Sequence, residues 1–248
     1  MKNSILFLAG SGEFTSSMLD IDRNLCEHIN GQVKVGIVPL AAGKERGYRK
    51  WIDDGISHFK NLGIDSVGFD IKSREGCIDS RNIDLLEDIN FLYFSGGDPK
   101  YLFESLKDTP FWLKILDKFN NGNFILAGSS AGAMVMGKAI PKSLNMAFPG
   151  SRGNEDLWEE SFGLVNFPII PHFDRFSRFL DINYFKHRFF KSFGNNNMVL
   201  GIDEDTGVKT SDSKTFQVLG KGRVVILYKD RDAIEYRSSN KFSINDKI

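Results

Sequence analysis

Cysteine is almost absent from this chain. Cys26 and Cys77 are the only two, far apart and with no second Cys or His at ligand spacing, so neither a disulfide framework nor a zinc site is expected. Both read as small buried residues in a reducing compartment. Net charge is lacking too. The 32 basic and 32 acidic residues cancel, which leaves no global field to draw nucleic acid or an anionic membrane. Long apolar runs are missing as well: Ile5-Leu6-Phe7-Leu8-Ala9 is too short for the core of a secretion signal, and no segment approaches the ~20 apolar residues of a membrane span. The expectation is a soluble cytoplasmic protein without metal or other cofactor. Phenylalanine, by contrast, is abundant at 22 residues, which suits a large aromatic core and leaves a homodimer interface open. A length of 248 residues suffices for one large domain, and no repeat, low-complexity segment or linker divides it.

In chain order, apolar runs and amphipathic stretches alternate. Strands are predicted at Ile5–Ala9, Val33–Leu40, Val67–Ile71, Phe91–Phe94 and Phe124–Ala127. Between them lie helical patterns at Leu19–Ile29, Tyr48–Leu62, Ile83–Leu86, from Pro99 to Leu106, and Phe111–Phe119, the last stopped by Asn120-Asn121-Gly122. Alternation of this kind signals an α/β fold with a parallel sheet and crossover helices. Ligands of such sheets bind beyond the carboxyl ends of the strands. Three glycine-bearing loops fall on that edge, at residues 10–12, 95–98 and 128–132. The first, Gly10-Ser11-Gly12, lacks the third glycine of a dinucleotide loop, so nucleotide binding is not expected. Residues 139–165 form an irregular excursion suited to a lid or to specificity contacts. Further strands are predicted at Phe167–Pro171 and from Met198. Thr215–Leu219 and Val224–Tyr228 read as antiparallel strands joined by a Gly220-Lys221-Gly222 hairpin, and with Ala233–Tyr236 they extend the sheet edge. Ser238–Ile248 is expected to fray.

The most informative stretch is Gly128-Ser129-Ser130-Ala131-Gly132-Ala133, where a buried strand turns sharply into a helix with one hydroxyl at the apex. The glycines on either side of Ser130 suit a corner too tight for a Cβ. The helix start beyond it offers unpaired backbone N–H groups to a developing oxyanion. The same short pattern also fits a tight turn that only packs a helix on a sheet.

A serine hydroxyl needs a base, and the base an orienting acid. Of four histidines, only His172 stands at a predicted strand end. The acidic tip Asp203-Glu204-Asp205 closes the strand that starts at Met198. Glu204 is the first choice of orienting acid, with Asp203, Asp205 and Asp174 open. On this reading Ser130, His172 and the acid gather on one sheet edge. His28, His58 and His187 read as surface or packing residues. The aromatic and basic alternation at 173–180 reads as a solvated amphipathic helix rather than a single-stranded nucleic-acid contact.

Four of these segments, Phe94-Ser95-Gly96-Gly97-Asp98, the elbow at 128–133, Pro171-His172-Phe173 and Gly201-Ile202-Asp203-Glu204-Asp205-Thr206, occur in the order seen in the serine peptidase family of dipeptidase E and cyanophycinase. The resemblance spans about residues 4 to 210. It implies a flavodoxin-like three-layer αβα sandwich related to class I glutamine amidotransferases, with a mostly parallel sheet and antiparallel C-terminal strands. It also implies Ser130 as nucleophile, His172 as base, Glu204 as acid, and the Gly97 and Ala131 N–H groups as the oxyanion hole. Glutamine amidotransferases carry cysteine at the elbow, so serine argues against glutamine hydrolysis. Cyanophycinases carry a glutamine after the Gly-Gly-Asp turn. Pro99 stands there in this chain, and the amide that would grip cyanophycin is missing. Dipeptidase E members favour an N-terminal aspartyl residue, whose carboxylate Arg175 or Arg178 would pair with, Asp98 being a further substrate contact. The expected function is hydrolysis of short peptides, the alternatives an α/β-hydrolase esterase and a non-catalytic binder of a peptide or metabolite.

Overall fold

The computed structural model describes residues 3–142, 157–178, 181–192 and 197–244. The first half of the chain alternates strand and helix in the order β1 (Ile5–Ser11), α1 (Leu19–Cys26), β2 (Lys34–Val38), α2 (Lys50–Asn61), β3 (Asp65–Gly68), α3 (Ser80–Glu87) and β4 (Phe91–Phe94). It continues through α4 (Pro99–Leu106), α5 (Pro110–Asn121), β5 (Ile125–Ser129) and α6 (Ala131–Met136). The second half holds β6 (Ala139–Pro141), β7 (Trp158–Glu160), β8 (Ile169–Ile170), α7 (Phe173–Ser177), α8 (Ile182–Ser192) and β9 (Met198–Ile202). After these come β10 (Thr206–Thr210), β11 (Thr215–Gly220), β12 (Arg223–Tyr228), β13 (Ile234–Arg237) and β14 (Lys241–Ser243).

An eight-stranded sheet in the order β14-β11-β10-β1-β5-β4-β2-β3 forms the centre. β1, β5, β4, β2 and β3 run parallel, and β10, β11 and β14 continue the sheet antiparallel beside β1. The central parallel strands β1, β5 and β4 are near-continuous apolar runs because helices cover both faces, whereas the edge strand β3 starts with the polar Asp65 and Ser66. The period of two sorts their side chains. Ile5, Phe7, Phe91, Tyr93, Ile125 and Ala127 pack with Ile21 and Leu25 of α1 and Phe59 of α2. Leu6, Leu8, Leu92, Phe94 and Leu126 meet α3 to α6 on the opposite face. This gives the expected three layers. Caps delimit the helices: Asp98 accepts the Tyr101 N–H ahead of α4, and Thr109 accepts the Trp112 N–H ahead of α5, each followed by proline in the first turn.

β8 and β9 do not join this sheet. With β12 and β13 they form a second, four-stranded sheet in the order β13-β12-β9-β8. One face, with Leu200, Ile202, Val224 and Ile226, packs into the main core. The other, with Val199, Val225 and Leu227, packs on Phe173, Phe189 and Phe190. The predicted hairpin at Gly220–Gly222 is therefore absent, since β11 pairs with β10 and β14 while β12 pairs with β9 and β13. Gly220, at φ +111° against the Asp205 carbonyl, carries the chain from one sheet to the other. The stretch expected to fray from Ser238 contains β14, held to β11 through Phe216 and Phe242; 245–248 lie outside the described residues. So does 143–156, most of the excursion expected as a lid, whose flanks pair as β6 and β7. Among the described residues, no helix is long and apolar enough to cross a membrane.

Candidate active site

β5 delivers Ser130 into a backbone conformation of φ 49°, ψ −111°, a sparsely populated region for a side chain other than glycine and typically worth about 1–3 kcal/mol of local strain. Its neighbours explain how the corner persists. A Cβ on Gly128 would lie 2.4 Å from the Gly132 backbone, and one on Gly132 would lie 2.6 Å from the Phe94 carbonyl oxygen. β5, β4 and α6 thus touch backbone to backbone, and only glycine fits at both points. The Ser130 carbonyl accepts the Met134 N–H at 2.9 Å, which starts α6.

Ser130 Oγ stands 3.0 Å from His172 Nε2, and His172 Nδ1 stands 2.6 Å from Glu204 Oε1. A carboxylate only accepts, so Nδ1 carries the proton and Nε2 turns its lone pair to the serine hydroxyl. The imidazole and carboxylate are each about three-quarters or slightly less covered. Arg175 Nε donates to the same Glu204 oxygen at 2.8 Å, its side chain 68% exposed. Glu204 is the acid at the histidine. Asp174 Oδ1 accepts the Glu204 N–H at 3.1 Å. Asp203 is buried and takes the Arg223 N–H and guanidinium, and its carboxyl is held above the usual range, chiefly by burial. Asp205, at φ 52°, donates its N–H to the Ser11 carbonyl.

The three groups do not share one sheet edge. Ser130 follows β5 of the main sheet, whereas His172 and Glu204 follow β8 and β9 of the second. They meet because the end of β1 bridges the sheets. The Ala9, Gly10 and Ser11 carbonyls accept, in turn, the N–H groups of Ser130 (3.0 Å), His172 (3.3 Å) and Asp205 (3.1 Å).

Gly97 has φ +143°, and a Cβ there would lie 2.4 Å from the Ala41 carbonyl; the next N–H, of Asp98, donates to that same carbonyl at 2.9 Å. Among the described residues the Gly97 and Ala131 N–H groups have no hydrogen-bond partner. Asp98 caps α4 through one oxygen, and Arg178, 73% exposed, lies 3.8 Å from Asp174. Two buried features escaped the sequence reading. Glu13 lies beneath the elbow with both carboxylate oxygens engaged, by Gly96 and by Ser129. Asp22 is paired with His58 at 2.8 Å in the core, so His58 is a packing residue. The one sequence signal for Glu13 was its place two residues beyond the end of β1.

Residues 6–218 match the profile of peptidase family S51. A cyanophycinase of Geminocystis herdmanii is 29% identical over 205 residues, covering 79% of this chain and 70% of its own length. A cyanophycinase of Trichormus variabilis is 32% identical over 179 residues, covering 69% of this chain and 56% of its own. The chain thus spans between about half and 70% of the length of these relatives. A crystal structure of a peptidase from an acI-B1 actinobacterium superposes with a TM-score of 0.83 at 30% identity, over 98% of this chain and 97% of that one. With the match running from β1 into β11, the chain belongs to peptidase family S51, a family of serine peptidases.

Proposed function

We propose that this protein hydrolyses short peptides through an acyl-enzyme on Ser130, with His172 as general base and Glu204 as orienting acid. The observation that carries the reading is the unbroken hydrogen-bonded run from Ser130 Oγ through His172 to Glu204. Ser130 Oγ attacks the scissile carbonyl while Nε2 takes its proton. The tetrahedral oxyanion is held by the Gly97 and Ala131 N–H groups, both without a partner among the described residues. Collapse expels the amine with the proton returned by His172, and water, deprotonated by the same imidazole, releases the acid product. Glu204 stabilises the imidazolium and fixes its tautomer, with Arg175 steadying the carboxylate.

The proposed substrates are aspartyl dipeptides. Arg175 already rests on Glu204, so recognition of the substrate carboxylate falls to the more exposed Arg178. Asp98, half-buried beside Gly97, has a carboxylate oxygen beyond its cap for the substrate's amino group. Cys26 and Cys77 are free and buried, in keeping with a cytoplasmic setting. An esterase of the α/β-hydrolase type places its acid before the histidine, the reverse of the order here. A fluorophosphonate probe should label Ser130, identified by mass spectrometry, and Asp-X dipeptides should be cleaved in preference to p-nitrophenyl esters. Undiminished turnover in folded Ser130→Ala would sink the mechanism.

A further inference from the structure

The loop after β1 sends Glu13 beneath the nucleophile. Only 7% exposed, it has Oε1 2.8 Å from the Gly96 nitrogen and Oε2 2.5 Å from the Ser129 hydroxyl. These partners are 83 and 116 residues away in sequence. Gly96 immediately precedes Gly97, and Ser129 immediately precedes Ser130. A Cβ built on Gly96 would lie 3.1 Å from Glu13 Oε1 and 3.4 Å from Ser130 Cβ, so the carboxylate, the Gly96 turn and the nucleophile are packed in direct succession.

We propose that Glu13 is a positioning residue that ties the Gly96–Gly97 turn to the Ser129–Ser130 elbow and thereby sets the two oxyanion donors relative to the nucleophile. The proposal rests on the serine mechanism given above. Two separate loops supply the donors, Gly97 after β4 and Ala131 after β5, and their spacing is not fixed by either loop alone. Taking the Gly96 N–H into a carboxylate orients the Ser95–Gly96 peptide, the one immediately ahead of the peptide that carries the Gly97 N–H. The Ser129 contact fixes the other loop to the same rigid group. A carboxylate is otherwise an awkward choice here, because a buried negative charge beside a site that develops an oxyanion opposes it electrostatically. An apolar side chain would fill the space without that penalty but would leave the buried Gly96 N–H unpaired and the loops untied. Glutamine is the informative replacement. Its carbonyl accepts the Gly96 N–H as before, and its amide N–H donates to Ser129 Oγ, so the tie survives without the charge.

The test is fluorophosphonate labelling of the full chain, resolved into a maximal rate and a half-saturating probe concentration, with cooperative thermal unfolding to check the fold. Glu13→Ala should slow the maximal rate about 10²-fold, the loss typical of a misplaced reacting group or a lost oxyanion donor, with half-saturation moved less than about threefold. Glu13→Gln should stay within about fivefold of the parent. A folded Glu13→Ala that labels at the parent rate overturns the proposal, as does a loss confined to half-saturation, or a Glu13→Gln as slow as the alanine variant. If Glu13→Ala does not fold, Ser129→Ala decides, since it removes one arm of the tie and leaves Gly96 held. About a tenfold slower rate supports the tie, and an unchanged rate refutes it. Labelling that persists in Ser130→Ala would instead overturn the serine mechanism, so the two failures are distinguishable.

Discussion

Replacing Gly128 by alanine tests the elbow where its geometry is tightest. The new Cβ would stand 2.4 Å from the Gly132 carbonyl carbon and oxygen and 2.8 Å from the Ala133 nitrogen, all backbone atoms that no rotamer change can move. Ordinary carbon contacts begin about 1 Å further out, so the first turn of α6 has to retreat from β5 by roughly that distance. Overpacking of this kind costs about 1–3 kcal/mol of stability. The larger effect falls on chemistry. Ser130 sits between the two glycines, 3.0 Å from His172 Nε2, and a shift of about 1 Å takes that contact out of hydrogen-bonding range. A misplacement of that size costs about 10²-fold in rate. Urea unfolding reports the first quantity and the maximal rate of fluorophosphonate labelling the second. Gly47→Ala is the control, because nothing lies within 4 Å of its Cβ and its φ is not positive; it should alter neither by more than a few tenths of a kcal/mol. Gly128→Ala that is folded, less stable and still labelled within threefold of the parent rate would refute the claim that backbone contact between β5 and α6 sets the nucleophile.

Two other substitutions probe the acid and the core. Glu204→Gln keeps the shape but removes the charge that faces the imidazolium, so peptide turnover should fall between about 10² and 10⁴-fold with KM little changed, whereas an unaltered kcat would remove Glu204 from the mechanism. Asp22, wholly buried against His58, has its carboxyl raised from 3.8, burial being the chief cause and outweighing the histidine. The folded state therefore holds that proton to higher pH than the unfolded chain, and ionisation above 3.8 favours unfolding. Relative to Asp22→Asn, the parent should lose stability to urea as pH rises from about 4 towards neutrality; a parent that gains on the asparagine variant over that range would show the opposite shift.

Much of this architecture is legible in the sequence for a local reason. β1, β4 and β5 are continuous apolar runs because both faces are covered, and the glycines around Ser130 mark a corner with no room for a Cβ. What escapes is decided by distant partners. β8 is two residues long, Ile169–Ile170, too short for any period, and nothing local tells β9 to pair with β12 rather than with the parallel block. The same holds for Gly220-Lys221-Gly222, whose composition suits a hairpin but whose flanking strands find better partners in different sheets. Glu13 finds its partners Gly96 and Ser129 at 83 and 116 residues' distance, and Asp22 and His58 are 36 residues apart on two different helices.

The stretch from Ala9 to Glu13 explains how residues that follow strands of two different sheets come to share one site. Ala9, Gly10 and Ser11 hold the backbones of Ser130, His172 and Asp205 on three successive carbonyls, and Glu13 then reaches Gly96. Glycine at position 10 follows from this arrangement, since a Cβ there would lie 2.2 Å from the Asp203 carbonyl oxygen, where the second sheet crosses β1. The residues proposed to carry the chemistry come from loops spread between positions 97 and 204, yet the backbones of Ser130, His172 and Asp205 are held on three consecutive carbonyls. A change in any one of those loops displaces one group. A change in the β1 tail would reach Ser130, His172 and the Glu204–Asp205 turn together, because their backbones hang on three consecutive carbonyls.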